Sequence, residues 1–347
     1  MFDINPLLRF FTMGLLSLSA LAPLAAQEVK QKEWLKPRGL KPGDTIMFVA
    51  PAAPVEMPAL LECARSLEKA GYKVVIPKGI NRKSGYLAGA DDERAAELNA
   101  AICDPKVRAI FPLRGGYGLT RILDRLDYAA LRRDPKIITG FSDLTALHLA
   151  VARQAQVVTF HSPMSLRELW QPKKEFTFAA TSFRRAVFAD QYKDEVGYTI
   201  AVPSDQPKPI KVVGGKARGR LLGGNLTLIC STLGTPYAVE PKGAILFMED
   251  VNEAPYRIDR YLSQLRLAGV LDAVAGVVLG NFTTKEAKDG KEIERVLREY
   301  FASAKVPIVM NFPVGHVANN ATLPHGALVE LDADAVSLRL LEDPVQP

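Results

Sequence analysis

The sequence predicts an α/β protein in which a parallel sheet forms the amino-terminal part of a two-domain chain. Strand-like runs of β-branched residues alternate with helix-like stretches over residues 44–161, a pattern typical of a parallel sheet covered by helices. The length of 347 residues, with 48% hydrophobic and 24% charged residues, suits two folded domains. The alternation weakens over residues 166–209 and then returns, which indicates a connection between two domains.

The first domain is predicted to span residues 43–168. Its strands are short apolar runs, expected at residues 44–51, 72–76, 107–113, 136–141 and 157–161. Helices are expected between these strands, at residues 57–70, 91–103 and 119–126 and directly after residue 142. The helix at 91–103 begins with acidic residues, whose charge is favourable at a helix amino terminus.

The second domain is predicted to span residues 214–347, after a connection over residues 169–213. It opens with a glycine-rich, basic segment at 214–225. Its strands are expected at residues 243–250, 274–279 and 306–310, and its helices at residues 226–233, 256–268 and 288–301. Two apolar runs, residues 327–331 and 335–341, are expected to close the domain as a hairpin.

Residues 1–26 are predicted to be a secretory signal peptide. Arg9 precedes an apolar run that ends in small residues at Ala26, and this run is too short for a comfortable membrane span. Cleavage after Ala26 is expected to leave a polar linker at residues 27–42 and a periplasmic protein with no membrane span. The alternative is an uncleaved leader that anchors the chain in the membrane, because Leu24 stands where a small residue is usual.

Charge and cysteine content argue against two classes of function. The formal net charge is +6, and the basic residues are spread along the chain, so no nucleic-acid partner is predicted. Cys63, Cys103 and Cys230 are widely spaced and have apolar neighbours. We therefore predict that all three are core residues, and we predict neither a zinc site nor a disulfide framework.

Ser142 stands between a predicted strand and a predicted helix. Gly140 permits a tight bend there, and the first N–H groups of the following helix lack partners within the helix. A hydroxyl in this position suits attack on a carbonyl, with the amide of Asp143 available to the oxyanion. The alternative is that Ser142 only caps the helix, because the second glycine of a G-x-S-x-G elbow is absent.

A serine nucleophile needs a base, and the chain has four histidines. His316 follows a predicted strand, His161 ends one, and His325 lies on a predicted turn, so each is a candidate base or a structural residue. His148 lies six residues after Ser142 within the helix, away from the positions that face the hydroxyl, and is interpreted as structural.

The acidic partner of such a base is expected at the end of the predicted strand 243–250. Glu249 and Asp250 are consecutive, so strand alternation sends them to opposite faces of the sheet. One of them can therefore point into a cleft, and the alternative is that both are solvated at the strand end.

The segment Arg114-Gly-Gly-Tyr-Gly118 also lies between a strand and a helix. Its glycines allow the backbone to approach a ligand closely, either as a phosphate loop or as a second oxyanion donor from Gly115 or Gly116. The Walker lysine, the G-x-G-x-x-G spacing and the HExxH motif are all absent. The sequence therefore predicts no metal and no cofactor.

Five motifs together resemble the LD-carboxypeptidase family, the serine peptidases of the murein tetrapeptide carboxypeptidase and microcin-immunity type. They run in the family's order from about residue 41 to residue 341 and consist of Arg114-Gly-Gly-Tyr-Gly118, Pro135-Lys-Ile-Ile-Thr-Gly-Phe-Ser-Asp-Leu-Thr-Ala-Leu-His148, Leu222-Gly-Gly-Asn-Leu226, Phe247-Met-Glu-Asp-Val-Asn-Glu253 and Phe312-Pro-Val-Gly-His316.

The resemblance implies a catalytic triad of Ser142, Glu249 and His316. It also implies oxyanion donors at the amides of Asp143 and a glycine of the Arg114 segment, for which Gly116 is the first choice. The implied fold has a smaller α/β carboxy-terminal domain, an active site between the domains and, usually, a homodimer. The predicted leader departs from the family, whose tetrapeptide recycling is usually cytoplasmic.

The implied reaction is release of the terminal D-alanine from murein tetrapeptide stems. An exopeptidase must bind the carboxylate of the leaving residue, so a cation is expected near Ser142, with Arg114 the first candidate, Arg257 the second, and Asn225 a further substrate contact. The alternatives are a related serine peptidase or amidase that acts on another small peptide or a peptide–nucleotide conjugate, and a periplasmic two-domain solute-binding protein.

Overall fold

The computed structural model of the chain describes residues 33–164, 177–188, 196–204 and 208–347. The predicted signal peptide, the start of the predicted linker and parts of the predicted connection therefore lie outside the described residues.

Strands and helices alternate through most of the described chain. The strands are Thr45–Val49 (β1), Lys73–Val75 (β2), Val107–Pro112 (β3), Ile137–Gly140 (β4), Thr159–His161 (β5), Ile210–Val213 (β6), Lys216–Asn225 (β7), Ile245–Val251 (β8), Gly276–Thr283 (β9), Ile308–Met310 (β10), Leu323–His325 (β11), Leu328–Asp332 (β12) and Ser337–Leu340 (β13). The helices are Met57–Lys69 (α1), Asp91–Cys103 (α2), Tyr128–Arg133 (α3), Leu144–Gln154 (α4), Phe178–Val187 (α5), Leu226–Thr232 (α6), Pro255–Leu267 (α7), Val270–Ala273 (α8) and Ala287–Phe301 (α9).

The amino-terminal sheet is parallel, as predicted, except at one edge. Its strand order is β11-β5-β4-β3-β1-β2, and β11 pairs with β5 in the antiparallel direction. Alternate residues of β1 enter different cores, because Ile46 and Phe48 pack on one face while Met47 and Val49 pack on the other. Burial on both faces explains why these strands read as nearly continuous apolar runs.

The carboxy-terminal sheet has the order β13-β12-β7-β8-β9-β10-β6. Its central strands β7, β8, β9 and β10 are parallel, and the outer strands β6, β12 and β13 are antiparallel to their neighbours. The predicted closing hairpin is present as β12 and β13. Helices α6, α7 and α9 cover one face through a core that includes Ile229, Leu262 and Val296.

The chain returns to the first sheet near its end. After β10 in the second sheet, residues 311–322 lead to β11, which joins the edge of the first sheet beside β5. This crossing brings a late segment of the chain close to the strands that precede residue 142. Within the described residues, no helix combines the length and the apolar character that crossing a bilayer requires.

One predicted helix is wrong. In place of a helix at 119–126 the chain forms two short 3₁₀ turns, Leu119–Arg121 and Leu123–Arg125. The Asp127 carboxylate accepts the Ala130 N–H at 2.7 Å and so begins a separate helix, α3, which was not predicted. The helix therefore starts after the capping residue Asp127, and the apolar residues before it lie in 3₁₀ turns.

The prediction that all three cysteines are core residues is partly wrong. Cys63 and Cys230 are buried, and burial raises the pKa of each thiol to about 12. Cys103 is exposed, because it ends α2 on the side away from the core. All three carry free thiols.

Candidate active site

Ser142 occupies a strained turn at the carboxyl end of β4. Its φ angle is +64°, in the left-handed region that residues with a side chain rarely adopt. Gly140, two residues earlier, has φ +124°, and a Cβ there would come within 2.8 Å of Leu144 Cγ. The turn therefore passes sharply from β4 into α4 and keeps the Ser142 side chain partly exposed, a geometry that resembles a nucleophile elbow.

The glycine segment after β3 lies directly beside Ser142. Strands β3 and β4 are neighbours, so the chain ends that follow them meet at one edge of the sheet. A Cβ at Gly115 would lie 3.2 Å from the Ser142 Cβ and 3.4 Å from its Oγ, so a larger residue would require Ser142 to shift by a few tenths of an ångström. Gly116 instead faces Ala53, where an added Cβ would be only 2.8 Å from the Ala53 Cβ.

Glu249 and His316 form a hydrogen-bonded pair in the other half of the site. The His316 Nδ1 and the Glu249 Oε2 are 2.7 Å apart, with 20% of the histidine side chain and none of the glutamate side chain exposed. Because a carboxylate accepts hydrogen bonds, this contact assigns the proton to Nδ1 and leaves Nε2 free to act as a base. Gly315 permits the contact, since a Cβ there would be 3.0 Å from the same Oε2.

Contacts between the two sheets bring these halves together. The Phe141 ring, next to Ser142, lies 4.7 Å from the His316 ring between centroids. Thr145, in the first turn of α4, accepts the Asn225 N–H through its Oγ1 at 2.9 Å, and Asn225 pairs in register with Glu249 across β7 and β8. The serine, the histidine and the glutamate thus belong to one set of connected contacts between the lobes.

Burial shifts the pKa of two carboxyl groups in the site. Desolvation raises the pKa of Glu249 above its ordinary value, and the hydrogen bond with His316 acts in the opposite direction. Desolvation likewise raises the pKa of Asp143 to about 6, although the Leu119 N–H and the charge of Arg94 oppose the shift. Such shifts are common where carboxyl groups serve chemistry at neutral pH.

Arg94 supports the site although nothing in the sequence predicted it. Its side chain is fully buried, and its Nη1 donates to the Gly118 carbonyl at 2.9 Å and to the Pro51 carbonyl. It also pairs with Asp91 within α2. A charged residue in an acidic helix start gives no sequence signal that it is buried, so the role of Arg94 in holding the glycine segment emerges only from the fold.

The three residues predicted to bind substrate occupy different environments. Arg114 is exposed beside the glycine segment, and its Nη1 donates to the Pro54 carbonyl at 3.0 Å. Arg257 is exposed on α7 and pairs with Glu253 at 3.3 Å. Asn225 is buried and caps α6, since its Oδ1 accepts the Leu228 N–H and its Nδ2 donates to Asp250. Substrate contact by each of the three stays a prediction.

The other three histidines form a buried cluster beneath the site. His148 donates from Nε2 to the Gly140 carbonyl and accepts from the Thr159 hydroxyl, each at 2.8 Å. His325 stacks on His148 with ring centroids 5.7 Å apart and accepts the Gly223 N–H. Both nitrogens of His161 are buried without a partner among the described residues, and its ring packs edge-on against Phe141 and Phe247.

Within the described residues no group of three or more His, Cys, Asp or Glu side chains is arranged to hold a metal ion. The arrangement offers instead a hydroxyl, an imidazole with a free Nε2 and a buried carboxylate. Together with the amides that precede α4, these groups suit nucleophilic attack on a carbonyl carbon.

Two family models match the chain. Residues 46–162 match the LD-carboxypeptidase N-terminal domain, and residues 218–331 match the LD-carboxypeptidase C-terminal domain. The first range contains Ser142, and the second contains Glu249 and His316.

Individual relatives agree with the family models. A probable murein peptide carboxypeptidase of Bacillus subtilis (strain 168) is 36% identical over 84% of this chain and 90% of its own length. The structure of a muramoyltetrapeptide carboxypeptidase from Oxalobacter formigenes superimposes with a TM-score of 0.71 at 30% identity, covering 85% of this chain and 97% of that one. The structure of the microcin C7 self-immunity protein MccF, a protein of Escherichia coli, in complex with aspartyl sulfamoyl adenosine gives a TM-score of 0.80 at 27% identity over 90% of this chain and all of that one.

Proposed function

The chain belongs to the LD-carboxypeptidase family, and from this premise we propose that it is a serine peptidase that removes the terminal D-alanine from murein tetrapeptide stems. The proposal rests on the contact between His316 and Glu249, with the His316 ring packed 4.7 Å from the ring of Phe141, the residue before the strained turn at Ser142. A base that is oriented by a buried acid and packed on the neighbour of Ser142 supports attack by the Ser142 hydroxyl.

The first half of the reaction forms an acyl-enzyme. His316 Nε2 takes the Ser142 proton while Glu249 accepts the Nδ1 hydrogen bond and stabilises the imidazolium. The Ser142 Oγ attacks the carbonyl carbon of the residue before D-alanine, and the backbone amides of Asp143 and Gly116 stabilise the oxyanion. The imidazolium then gives its proton to the amine of D-alanine as the peptide bond breaks.

The second half returns the enzyme. Water loses a proton to His316, attacks the acyl carbon and releases the tripeptide acid, while Ser142 recovers its proton from the imidazolium. Glu249 must be ionised to stabilise the imidazolium, and its burial works against that charge. The hydrogen bond from His316 lowers the pKa of Glu249 and so offsets part of the effect of burial. The ionised state of Glu249 therefore depends on His316.

The leaving residue carries a free carboxylate, so the site needs a cation for it. Arg114 is exposed at the start of the glycine segment, one residue before Gly115, which touches Ser142. Its guanidinium has further N–H groups besides the one that contacts Pro54. We assign it the carboxylate-binding role ahead of Arg257, which is paired with Glu253 on α7.

A second candidate substrate is a peptide–nucleotide conjugate. The relative MccF was solved with aspartyl sulfamoyl adenosine, and its fold matches this chain over 90% of the length. The same triad would cleave the amide of such a conjugate, so the two candidates differ in what lies beyond the reacting carbonyl.

Incubation of the purified protein with murein tetrapeptide, with product analysis by mass spectrometry, tests the proposal. We expect tripeptide and D-alanine, and a loss of about 10⁴ in rate for Ser142→Ala. Ser231→Ala is the matched control, because the Ser231 hydroxyl lies on α6 and, among the residues that the structure describes, donates to the Thr227 carbonyl alone. Full turnover by Ser142→Ala removes Ser142 from the mechanism, and cleavage of an aminoacyl sulfamoyl adenosine without tetrapeptide cleavage favours the second candidate.

The location and assembly of the protein are part of the proposal. The apolar leader at residues 1–26 supports export to the periplasm, and the family resemblance supports a homodimer. Cell fractionation and the mass of the purified protein in solution test these two statements separately.

A further inference from the structure

Two exposed tyrosines touch each other at the edge of the candidate active site. Tyr86 and Tyr117 expose 65% and 47% of their surfaces, and their ring centroids are 5.8 Å apart with the planes tilted by 60°. Single exposed apolar residues are ordinary on protein surfaces. A pair of solvent-facing rings in contact presents instead a continuous aromatic surface of the kind that proteins use to bind ligands.

The backbone beneath both rings is fixed. Tyr86 lies in a tight turn in which Ser84 and Leu87 exchange hydrogen bonds of 2.8 and 3.0 Å. The Leu87 side chain is buried behind Gly118, where an added Cβ would come within 2.9 Å of Leu87 Cδ2. The Gly118 carbonyl in turn accepts a hydrogen bond from buried Arg94. A surface held in this way loses little conformational entropy when it binds a ligand.

The tyrosine pair is close to the nucleophile. Tyr117 follows Gly115 by two residues, and Gly115 is in contact with Ser142. Since consecutive Cα atoms are about 3.8 Å apart, the Tyr117 Cα lies within about 7.6 Å of the Gly115 Cα. That separation corresponds to roughly two residues of an extended peptide, so a peptide bound at Ser142 reaches the pair.

The two rings offer a ligand two aromatic faces and two hydroxyls. The nearby Arg121 guanidinium is already paired with Asp91 through hydrogen bonds of 3.0 and 2.9 Å. The surface therefore suits a peptide segment with aliphatic chains.

The size of the surface indicates which side of the cleaved bond it binds. The leaving residue in the proposed reaction is a single D-alanine, whose methyl group is too small to cover two tyrosine rings. The acyl side of a tetrapeptide has three residues. We propose that Tyr86 and Tyr117 form a subsite for the acyl part of the peptide substrate, the residues that precede the cleaved bond, and this subsite rests on the proposed function.

A comparison of two substrates tests the subsite. The first is the tetrapeptide, and the second is an acetylated diamino acid joined to D-alanine, which lacks the first two residues. We expect Tyr86→Ala and Tyr117→Ala to lower kcat/KM for the tetrapeptide by about tenfold, mainly through KM, and to leave kcat/KM for the short substrate within about twofold. Tyr117→Phe keeps the ring and is expected to retain most of the tetrapeptide activity.

The controls separate the subsite from the reaction. Leu267→Ala removes an exposed apolar side chain on α7 and should change neither value of kcat/KM. Equal losses on both substrates, or no loss on either, overturn the subsite while wild-type turnover still supports the proposed reaction. Absence of D-alanine release from both substrates by the wild type overturns the proposed function and the subsite with it.

Discussion

At the scale of single residues, the site depends on close backbone approaches around Ser142. The left-handed conformation of Ser142 costs about 1–2 kcal/mol relative to an ordinary turn, and the surrounding structure sustains it. Gly115 lies against the Ser142 side chain. A Cβ at this position would be 3.2 Å from the Ser142 Cβ, which is shorter than an ordinary van der Waals contact. The position of the Ser142 hydroxyl therefore depends on the missing side chain of Gly115 as well as on the side chains that contact it.

Gly115→Ala is expected to reduce turnover without unfolding the protein. The backbone of Gly115 is outside the left-handed region, so alanine fits its conformation, but the new Cβ would lie 3.2 Å from the Ser142 Cβ and crowd the hydroxyl. Displacement of the nucleophile by up to about 1 Å lowers kcat by as much as about 10²-fold. Steady-state kinetics with thermal unfolding of the same sample measure both effects.

Gly290→Ala is the matched control for this change. Gly290 also has an ordinary φ angle, and an added Cβ there meets only the Thr284 Oγ1 at 3.7 Å. We expect unchanged kinetics. Equal kcat values for Gly115→Ala and the wild type would show that the glycine does not constrain the nucleophile.

The sequence was sufficient to select the candidate catalytic residues, but not the residues that surround them. Ser142, Glu249 and His316 were selected by motif resemblance, and the contact of Glu249 with His316 agrees with that selection. Gly115 was placed second to Gly116, and Arg94 was not predicted at all, because close approach and burial depend on contacts distant in sequence. Whether the triad acts as inferred stays a prediction until it is measured.

At the scale of elements, the end of β7 joins the two lobes. The Asn225 N–H donates to Thr145 on α4, its side chain caps α6, and its amide group donates to Asp250 on β8. Gly224 allows this approach, since an added Cβ would be 2.4 Å from the Thr145 Oγ1. The segment Leu222-Gly-Gly-Asn-Leu226 therefore positions the helix that follows Ser142 against the strand that carries Glu249.

Asn225→Ala is expected to destabilise the protein by about 1–3 kcal/mol, because it removes a helix cap and one hydrogen bond to a buried carboxylate. Asn225→Ser keeps the capping oxygen and should recover about half of the loss. Urea unfolding measures the free energies. A large rise in KM for both variants with no change in stability would contradict the capping role and favour direct substrate contact.

Most strands and helices followed from apolar periodicity, and two of the exceptions have identifiable physical causes. The range 91–103 was predicted to the residue because its acidic first turn marks the start of α2. The helix expected at 119–126 failed because Asp127 begins a new helix. Strand β11 was not predicted, since Leu323–His325 is short and pairs with β5 from a distant part of the sequence.

At the scale of the whole molecule, all four histidines lie where the two sheets meet. Burial lowers the pKa of His148 to about 4, and burial together with neighbouring histidines lowers the pKa values of His161 and His325 well below the ordinary value. A histidine whose pKa is lowered by folding stabilises the native state above about pH 6.5. That contribution is lost as the pH falls below 6.5, because the unfolded chain then binds protons that the native state excludes.

His161→Phe isolates one of these contributions. Phenylalanine suits the aromatic contacts with Phe141 and Phe247, and it removes two buried nitrogens that have no partner among the described residues. As the pH falls below 6.5, the wild type should lose stability more steeply than the variant, by at most about 1.4 kcal/mol per pH unit. Urea unfolding across this range measures the difference, and parallel pH dependences for the two proteins would contradict it.

The crossing of the chain from β10 to β11 is what places His316 between the lobes. The segment leaves the second sheet after Met310 and enters the first at Leu323, so the base lies on the connection between them. Glu249 comes from the second sheet and Ser142 from the first. We propose that these three groups, supplied by different parts of the chain, act together on one substrate.

Reaction with a fluorophosphonate probe, followed by peptide mass spectrometry, shows whether the three groups act together. We expect a single adduct on Ser142, formed at least about 10³-fold more slowly in His316→Ala than in the wild type. An adduct on another serine, or equally fast labelling of Ser142 without the imidazole, would contradict it.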